Sequence, residues 1–424
     1  MRIQKLKLHN FRCYEDLDID FEPSLNVIVG ENGRGKTAIF DGIAIGLAPY
    51  LNVFGHTGIT IEARDVRRAP VYDKEKHLVA MESHFPTTVD LQIEGFNGSS
   101  YHCQKQFDTN GEHILSENLT DLGVILSGAN DKVLPIIAYY GTSRLWIDSD
   151  LLTEEHKALV DRSFGYKDCL EPSSSFNTFG KWLEHISQRK ELIYHLIGKA
   201  ILRAVDSCLK STGLNNIHFN TNLNTLVINH PDAGELLVSD LSDGVRTIIS
   251  MAVDIAYRMV RLNWNLGDRV ILDTPGVILI DEIDMHLHPQ WQQYILRDLQ
   301  ATFPSVQFIV TTHSPQVLST VPPEAIRILA WDKEFQGVFR TDFSLGAESN
   351  QLLQDIQNVT ARPKSVPIVQ KLERYLELVS DDKWDTAEAK ALRQELDAWS
   401  NGGEPLLVKA DMDIRMRQFR RRKQ

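Results

Sequence analysis

Long apolar runs are missing from this chain of 424 residues. The longest, such as Gly276 to Ile280 and Phe308 to Val310, fall far short of the roughly 20 residues a membrane helix needs. That excludes a bilayer-spanning role. Cysteine is scarce: Cys13, Cys103, Cys169 and Cys208 lie far apart with no CxxC spacing, which excludes a zinc ribbon and a disulfide framework. All four read as reduced thiols. A secretory leader is not expected, because MRIQKLKLHNFRCYEDLDIDF alternates apolar and polar residues like a strand and has neither an apolar h-region nor a small-residue cleavage site. The expectation is a cytoplasmic protein. Positive charge is not in excess either: 45 Lys and Arg against 57 Asp and Glu leave a net charge of −12. A surface that binds nucleic acid all over is excluded, whereas a local basic patch is not.

What remains is ordinary globular composition, 42% hydrophobic and 24% charged, in a chain long enough for roughly two or three domain-sized units.

A β-rich stretch from Leu25 to Val29 runs into Gly30-Glu31-Asn32-Gly33-Arg34-Gly35-Lys36-Thr37, and from Ala38 an apolar helical pattern follows through Ile39, Phe40, Ile43 and Leu47. This is GxxxxGKT in a strand-loop-helix setting, a context that a chance glycine-rich turn lacks. Backbone N–H groups of such a loop close around phosphates, and the helix aims its positive end at them. Gly30, Asn32, Gly33, Gly35, Lys36, Thr37 and Ala38 are therefore the candidate ATP-binding residues. Lys36 is placed to reach the β- and γ-phosphates, and Thr37 to offer its hydroxyl to Mg2+.

A second apolar run, Gly276 to Ile280, ends in Asp281-Glu282, as a buried parallel strand does when it opens into a site. Asp281 is the candidate metal ligand. Glu282 is the candidate to polarise an attacking water, a task that needs a carboxylate beside the γ-phosphate. A third run, Gln307 to Thr312, ends in His313-Ser314. Trp291 to Gln300 reads as the crossover helix between these strands, so their ends sit side by side and His313 arrives near Glu282. It is the second catalytic candidate, as a γ-phosphate sensor.

Leu241-Ser242-Asp243-Gly244-Val245 resembles the LSGGQ signature of ABC ATPases, at its usual place before the acidic strand. The resemblance implies an α/β fold: an ABC-type P-loop head with a mixed β-sheet and flanking helices. It also implies a head-to-head dimer in which Ser242, Asp243 and Gly244 bind the nucleotide held by the opposite subunit. Asp243 departs from the second glycine of the family, as in the RecF and OLD-like branch. Asn10-Phe11-Arg12 resembles the same branch, which implies that Arg12 approaches the phosphates. Asp284 to Pro289 matches the D-loop, so His286 and His288, despite their HxH spacing, read as dimer-seam residues with no third ligand near in sequence. No glutamine stands where the Q-loop requires one; the candidate segment is Ile136 to Arg144.

The head is discontinuous. Residues 1–148 carry its N-terminal lobe and 214–345 its C-terminal lobe, while 149–213 form a short helical insertion in which Trp182, Ile186, Ile193, Leu196 and Ile201 recur at helical spacing. Residues 346–424 are helical, with Ile368, Leu372, Tyr375 and Val379 on one face, a second helix over Thr386 to Trp399, and a basic tail: Arg415, Arg417, Arg420, Arg421, Arg422 and Lys423 stand within nine positions. No acidic cluster of the TOPRIM kind follows the head. With Glu348-Ser349-Asn350-Gln351-Leu352-Leu353 and the Arg362-Pro363 break, the chain resembles the PtuA family, ATPases of the Septu antiphage system also found with some retrons. That resemblance implies oligomerisation and a separate HNH nuclease partner of PtuB type. The alternative is a RecF/SMC-like repair or chromosome-maintenance ATPase that clamps DNA directly, which keeps DNA as a candidate partner.

Overall fold

The alternating N-terminus folds into a hairpin of β1 (Arg2–Phe11) and β2 (Tyr14–Asp20). A bulge between Ile3 and Lys5 changes which parity faces inward, so Ile3 is buried and then Leu6 and Leu8. The computed structural model describes residues 1–56, 58–73, 78–95, 98–127, 132–142, 161–171, 192–220, 222–223, 225–331 and 336–423. It divides into two compact units, Met1–Leu352 and Leu353–Gln424.

In the first unit β3 (Leu25–Gly30) leads through the glycine loop into α1 (Lys36–Asn52). A small ribbon, β4 (Arg68–Asp73) and β5 (Leu78–Ser83), precedes β6 (Thr87–Glu94), β7 (Ser100–Asp108) and β8 (Gly111–Glu117). These last three join the hairpin in a five-stranded antiparallel sheet of order β2-β1-β6-β7-β8. Helix α2 (Leu119–Ser127) and β9 (Ile136–Tyr140) follow, then α3 (Leu192–Cys208), a three-stranded sheet of β10 (Asn215–Asn220), β11 (Thr225–His230) and β12 (Gly234–Leu237), and α4 (Asp243–Asn263). The chain continues with β13 (Gly276–Ile280), α5 (Ile295–Thr302), β14 (Val306–Thr311), β15 (Ile326–Trp331) and β16 (Gln336–Phe339).

The second large sheet is six-stranded, in the order β16-β15-β3-β14-β13-β9. It is parallel except for β16 at the edge, hence mixed. The central strands β3, β14 and β13 and the edge strand β9 are buried almost throughout, which is why they read as continuous apolar runs rather than alternating ones. Helix α1 packs against strands of both large sheets, and nearly its whole length is buried. In the parallel pairing Ile278 faces Phe308 and Ile280 faces Val310, so the ends of β13 and β14 sit side by side. The crossover expected as one helix over Trp291 to Gln300 is instead a helical turn, Pro289–Gln292, and then α5, with Gln293 and Tyr294 between them.

The described parts of the 149–213 insertion pack into the first unit. The turn Arg162–Tyr166 lies on α4, where the Tyr166 hydroxyl meets Tyr50 Oη at 2.8 Å and donates to Pro135 O at 2.8 Å. Helix α3 contains Ile193, Leu196 and Ile201, packs on α4 and α5, and buries Ile201. Trp182 and Ile186 lie outside the described residues, as do Ser143 and Arg144 of the Q-loop candidate. Among the described residues no helix is long and apolar enough to cross a membrane.

After α6 (Ser349–Asp355), the second unit is built from α7 (Pro367–Ser380), α8 (Ala387–Ser400) and α9 (Pro405–Lys423). Leu372, Tyr375, Val379, Ala389, Leu396, Leu407 and Ala410 form its core, with Ile368 packed against it. Thr386 caps α8 by accepting from Ala389 N, and Asn401 ends it at φ 45°, a left-handed stop that asparagine tolerates. Bidentate pairs Arg362–Glu404 and Arg393–Asp411 tie the connections. The basic tail is thus the end of α9.

Candidate functional site

The phosphate loop takes its shape from two glycines in the left-handed region, Gly33 at φ 81° and Gly35 at φ 84°. At Gly35 a Cβ would also sit 2.5 Å from Cys13 Sγ and 2.7 Å from the Tyr14 hydroxyl, so only glycine fits. Lys36 curls over the loop and donates from Nζ to Gly30 O at 2.8 Å and Glu31 O at 3.2 Å. Burial lowers its pKa, opposed by Asp281, Glu282 and Asp284. An anion is what such a partly desolvated ammonium lacks.

Beside the loop, the end of β13 carries a hydrogen-bonded set. Thr37 Oγ1 donates to Asp281 Oδ2 at 3.1 Å, and Thr311 Oγ1 donates to Asp281 Oδ1 at 2.6 Å. The Thr311 hydroxyl in turn accepts from Glu282 N at 2.7 Å. Glu282 has φ 49°, a backbone strain that a non-glycine residue carries mainly where surroundings impose it. Asp284 accepts from Thr312 Oγ1 at 2.6 Å and from His313 N at 3.4 Å. The His313 pKa is lowered, by burial first and by the Lys36 cation second, against the three carboxylates.

Arg12 reaches the same cleft from the β1–β2 turn, itself at φ 51°. Its Nε donates to Asp65 Oδ1 at 2.8 Å, and its Nη1 pairs with Asp41. Burial lowers the Arg12 pKa, but the two carboxylates outweigh it and the net shift is upward. For Asp41 burial is the largest influence and raises its pKa despite Arg12. The resulting cleft of about 580 Å³ is lined by Arg12, Asn32, Gly33, Gly35, Lys36, Thr37, Ala38, Asp281 and Glu282 together with Cys13, Asp41, Tyr139, Gly141 and Thr142. That volume lies within the range of small-molecule sites, roughly 300–1,000 Å³. Thr37 and Asp281 supply hard oxygen donors 3.1 Å apart, which suits Mg2+ completed by phosphate and water oxygens. Burial pushes the Cys13 thiol up to about 11, so it stays protonated in the cleft.

Several of these residues carry little or no signal in the sequence. Asp41 had a signal, standing four positions after Thr37 and so on the same side of α1. Asp65 had none; the bridge between Phe11 and Val66 brings it to Arg12. At the Q-loop position, β9 delivers Gly141 and Thr142 to the cleft.

The signature residues stand elsewhere. Ser242 is the N-cap of α4, Asp243 pairs with Arg246, and Gly244 lies so close to the His286 carbonyl that a Cβ would meet it at 2.2 Å. None of the three lines the cleft of its own chain, and neither does Gly30 or His313. His288 Nδ1 accepts from Gln290 N at 3.3 Å, capping the turn Pro289–Gln292. Among the described residues no group of three metal-ligating side chains occurs.

The family described as AAA domain matches residues 5–199, and that described as AAA domain, putative AbiEii toxin, Type IV TA system, matches residues 183–319. The chain is 27% identical to the retron Ec83 probable ATPase of Escherichia coli, over 98% of this chain and 87% of that protein. The fold is that of an ABC-type P-loop ATPase head, and the chain is similar to ATPases of the retron and Septu kind. The ATPase is also 23% identical to the Septu protein PtuA of Bacillus thuringiensis, over 90% of this chain and 91% of that one. Its fold matches that of an SMC head crystallised with the C-terminal winged-helix domain of ScpA, at a TM-score of 0.50 and 16% identity over 81% of this ATPase and 99% of that chain.

Proposed function

We propose that this ATPase binds ATP with Mg2+, closes as a head-to-head dimer, and through that cycle controls a separate HNH nuclease of PtuB type in an antiphage defence complex. The observation that carries the dimer is the separation of Ser242, Asp243 and Gly244 from the cleft of their own chain. A second copy would bring them to the nucleotide, so each site is shared.

Within one cleft the loop N–H groups and Lys36 hold the phosphates, with Arg12 released from Asp41 to assist. Thr37 and Asp281 hold Mg2+, which when bound neutralises phosphate charge. Glu282 orients and deprotonates the attacking water, its backbone pinned by Thr311. His313, whose pKa burial and the Lys36 cation lower, contacts a phosphate oxygen as a neutral donor. The nuclease reading draws on the Septu and retron relatives and on residues 346–424, which carry helices and a basic end but no nuclease constellation that the sequence reveals.

Mixing subunits tests the shared site. Lys36→Ala and Ser242→Arg are each expected to abolish hydrolysis alone, while heterodimers of the two regain one working site. Absence of recovery, with heterodimers demonstrated, rejects it. For the nuclease reading, the purified ATPase should leave duplex DNA intact with Mg2+ and ATP, and removal of residues 346–424 should release a co-purifying HNH protein. Cleavage by the ATPase alone, lost in an active-site variant, rejects that reading. Strong salt-dependent duplex binding by the chain alone would favour the DNA clamp instead; the exposed Arg415 and Arg420 are what keep that second reading in view.

A further inference from the structure

Helix α9 has two apolar faces. One, through Leu407, Ala410 and Ile414, is packed in the core of the C-terminal unit. The other carries Val408, Met412, Met416 and Phe419, at spacings of four, four and three, which line up along one side of a helix opposite the buried one. These four are 47%, 61%, 57% and 58% exposed. One apolar residue at a surface means little, but four in register along a helix form a stripe of the kind that takes a partner helix. Two of them are methionines, which adapt their shape to an incoming side chain.

The charges beside the stripe say what would lie on it. Lys409, Arg415 and Arg420 are exposed. The nearby Asp411 is taken up by both guanidinium nitrogens of Arg393, which with the Arg415 charge also hold its carboxyl below the usual range. Arg415 on one flank and Lys409 and Arg420 on the other thus outnumber Asp413, the remaining acid beside the stripe, and leave its margins net positive. A second copy of α9 would set these cations against their own kind in either orientation. A bilayer or a duplex is an extended anionic surface and would meet more of a chain whose net charge is −12. A single helix meets only the local patch, because charges more than about 8 Å away are screened at physiological salt.

We infer that the Val408-Met412-Met416-Phe419 face of α9 docks one amphipathic helix, with apolar anchors and acidic flanks, presented by a separate protein partner of this ATPase. The inference rests on the reading of residues 346–424 as the seat of such a partner. Apolar anchors provide the contact area, while the flanking pairs set orientation and association rate.

The test uses the full chain co-expressed with its neighbouring genes. Wild type, Met412→Glu/Met416→Glu and Arg415→Glu/Arg420→Glu are compared by gel filtration, with circular dichroism confirming the helical content of each. A photo-crosslinking residue at Met412 identifies what lies on the stripe. The expected result is a co-eluting protein whose affinity drops at least tenfold in each double variant, with crosslinks mapping to a helical segment rich in Asp and Glu. If the methionine variant unfolds, the arginine variant and the crosslink decide. Undiminished co-elution of both variants overturns the docking face and leaves the partner reading standing. Crosslinks to DNA, to lipid, or to a second copy of the chain also overturn it. If nothing co-elutes with wild type, the partner reading fails and takes the docking face with it.

Discussion

Tyr140, the last residue of β9, donates its hydroxyl to Asp254 Oδ2 at 2.7 Å. The same oxygen accepts from Arg258 Nε at 2.8 Å, and Arg258 Nη1 donates onward to Gly165 O at 3.1 Å and Lys167 O at 2.8 Å. The strand that runs on to Gly141 and Thr142 in the cleft is thereby tied to the helix that begins just after Ser242. A buried tyrosine-carboxylate-guanidinium chain thus joins the strand beside the cleft to the helix that follows Ser242.

Loss of the Tyr140 hydroxyl leaves Asp254 paired with Arg258, so Tyr140→Phe should cost only about 1 kcal/mol. Arg258→Met strands a largely buried carboxylate and should cost roughly 3–5 kcal/mol. Denaturant melts of the two variants check this order, and equal losses would count against the chain of contacts. Tyr140→Phe should also slow hydrolysis more than it weakens nucleotide binding.

Binding and turnover separate by residue in the cleft. Lys36→Ala should lose ATP binding, because no other cation of the loop replaces its contact. Glu282→Gln should bind and stall, since an amide cannot take the proton from water. Labelled-nucleotide titrations and phosphate release measure the two steps; normal turnover in Glu282→Gln would remove Glu282 from the mechanism.

Gly244 poses a contest of magnitudes. In a helix alanine is favoured over glycine by about 1 kcal/mol, so Gly244→Ala would stabilise α4 if the site were open. A Cβ there would instead meet the His286 carbonyl at 2.2 Å, and a backbone atom cannot swing aside as a side chain can. The expected outcome is a lower melting temperature and reduced hydrolysis. A rise in melting temperature would show that the contact is absent.

His313 carries a pH signature. Its folded pKa lies below the ordinary 6.5, through burial and Lys36, so the folded protein favours the neutral ring. Stability should therefore fall as pH drops through about 6.5, where the unfolded chain takes up the proton first, and the loss should be complete below the folded pKa. NMR titration of labelled histidine reads the shift directly, and Lys36→Met should move it upward. A His313 titration at or above 6.5 in wild type contradicts the assignment.

The nucleotide loop was legible because its chemistry is local: a strand, a run of glycines ending in Lys36-Thr37, and a helix, all contiguous. Asp281 and Glu282 were legible because an apolar run ending in two acids marks the mouth of a buried strand. The break at Gln293 and Tyr294 was not, since neither residue is a glycine or a proline and nothing local stops the helix. Asp65 was invisible for another reason, as 53 positions separate it from Arg12.

The glycine loop, the acidic pair after β13 and the apolar face of α7 are written in the sequence, because each depends on neighbours along the chain. Long-range packing is what sets Asp41 and Asp65 around Arg12, joins Tyr140 to Asp254, and holds Ser242 to Gly244 away from their own cleft. Those relations follow from the order β3-β14-β13-β9 and from the packing of α1 against two sheets. Strand order is chosen by burial summed over the whole molecule, and no short stretch of residues carries that sum.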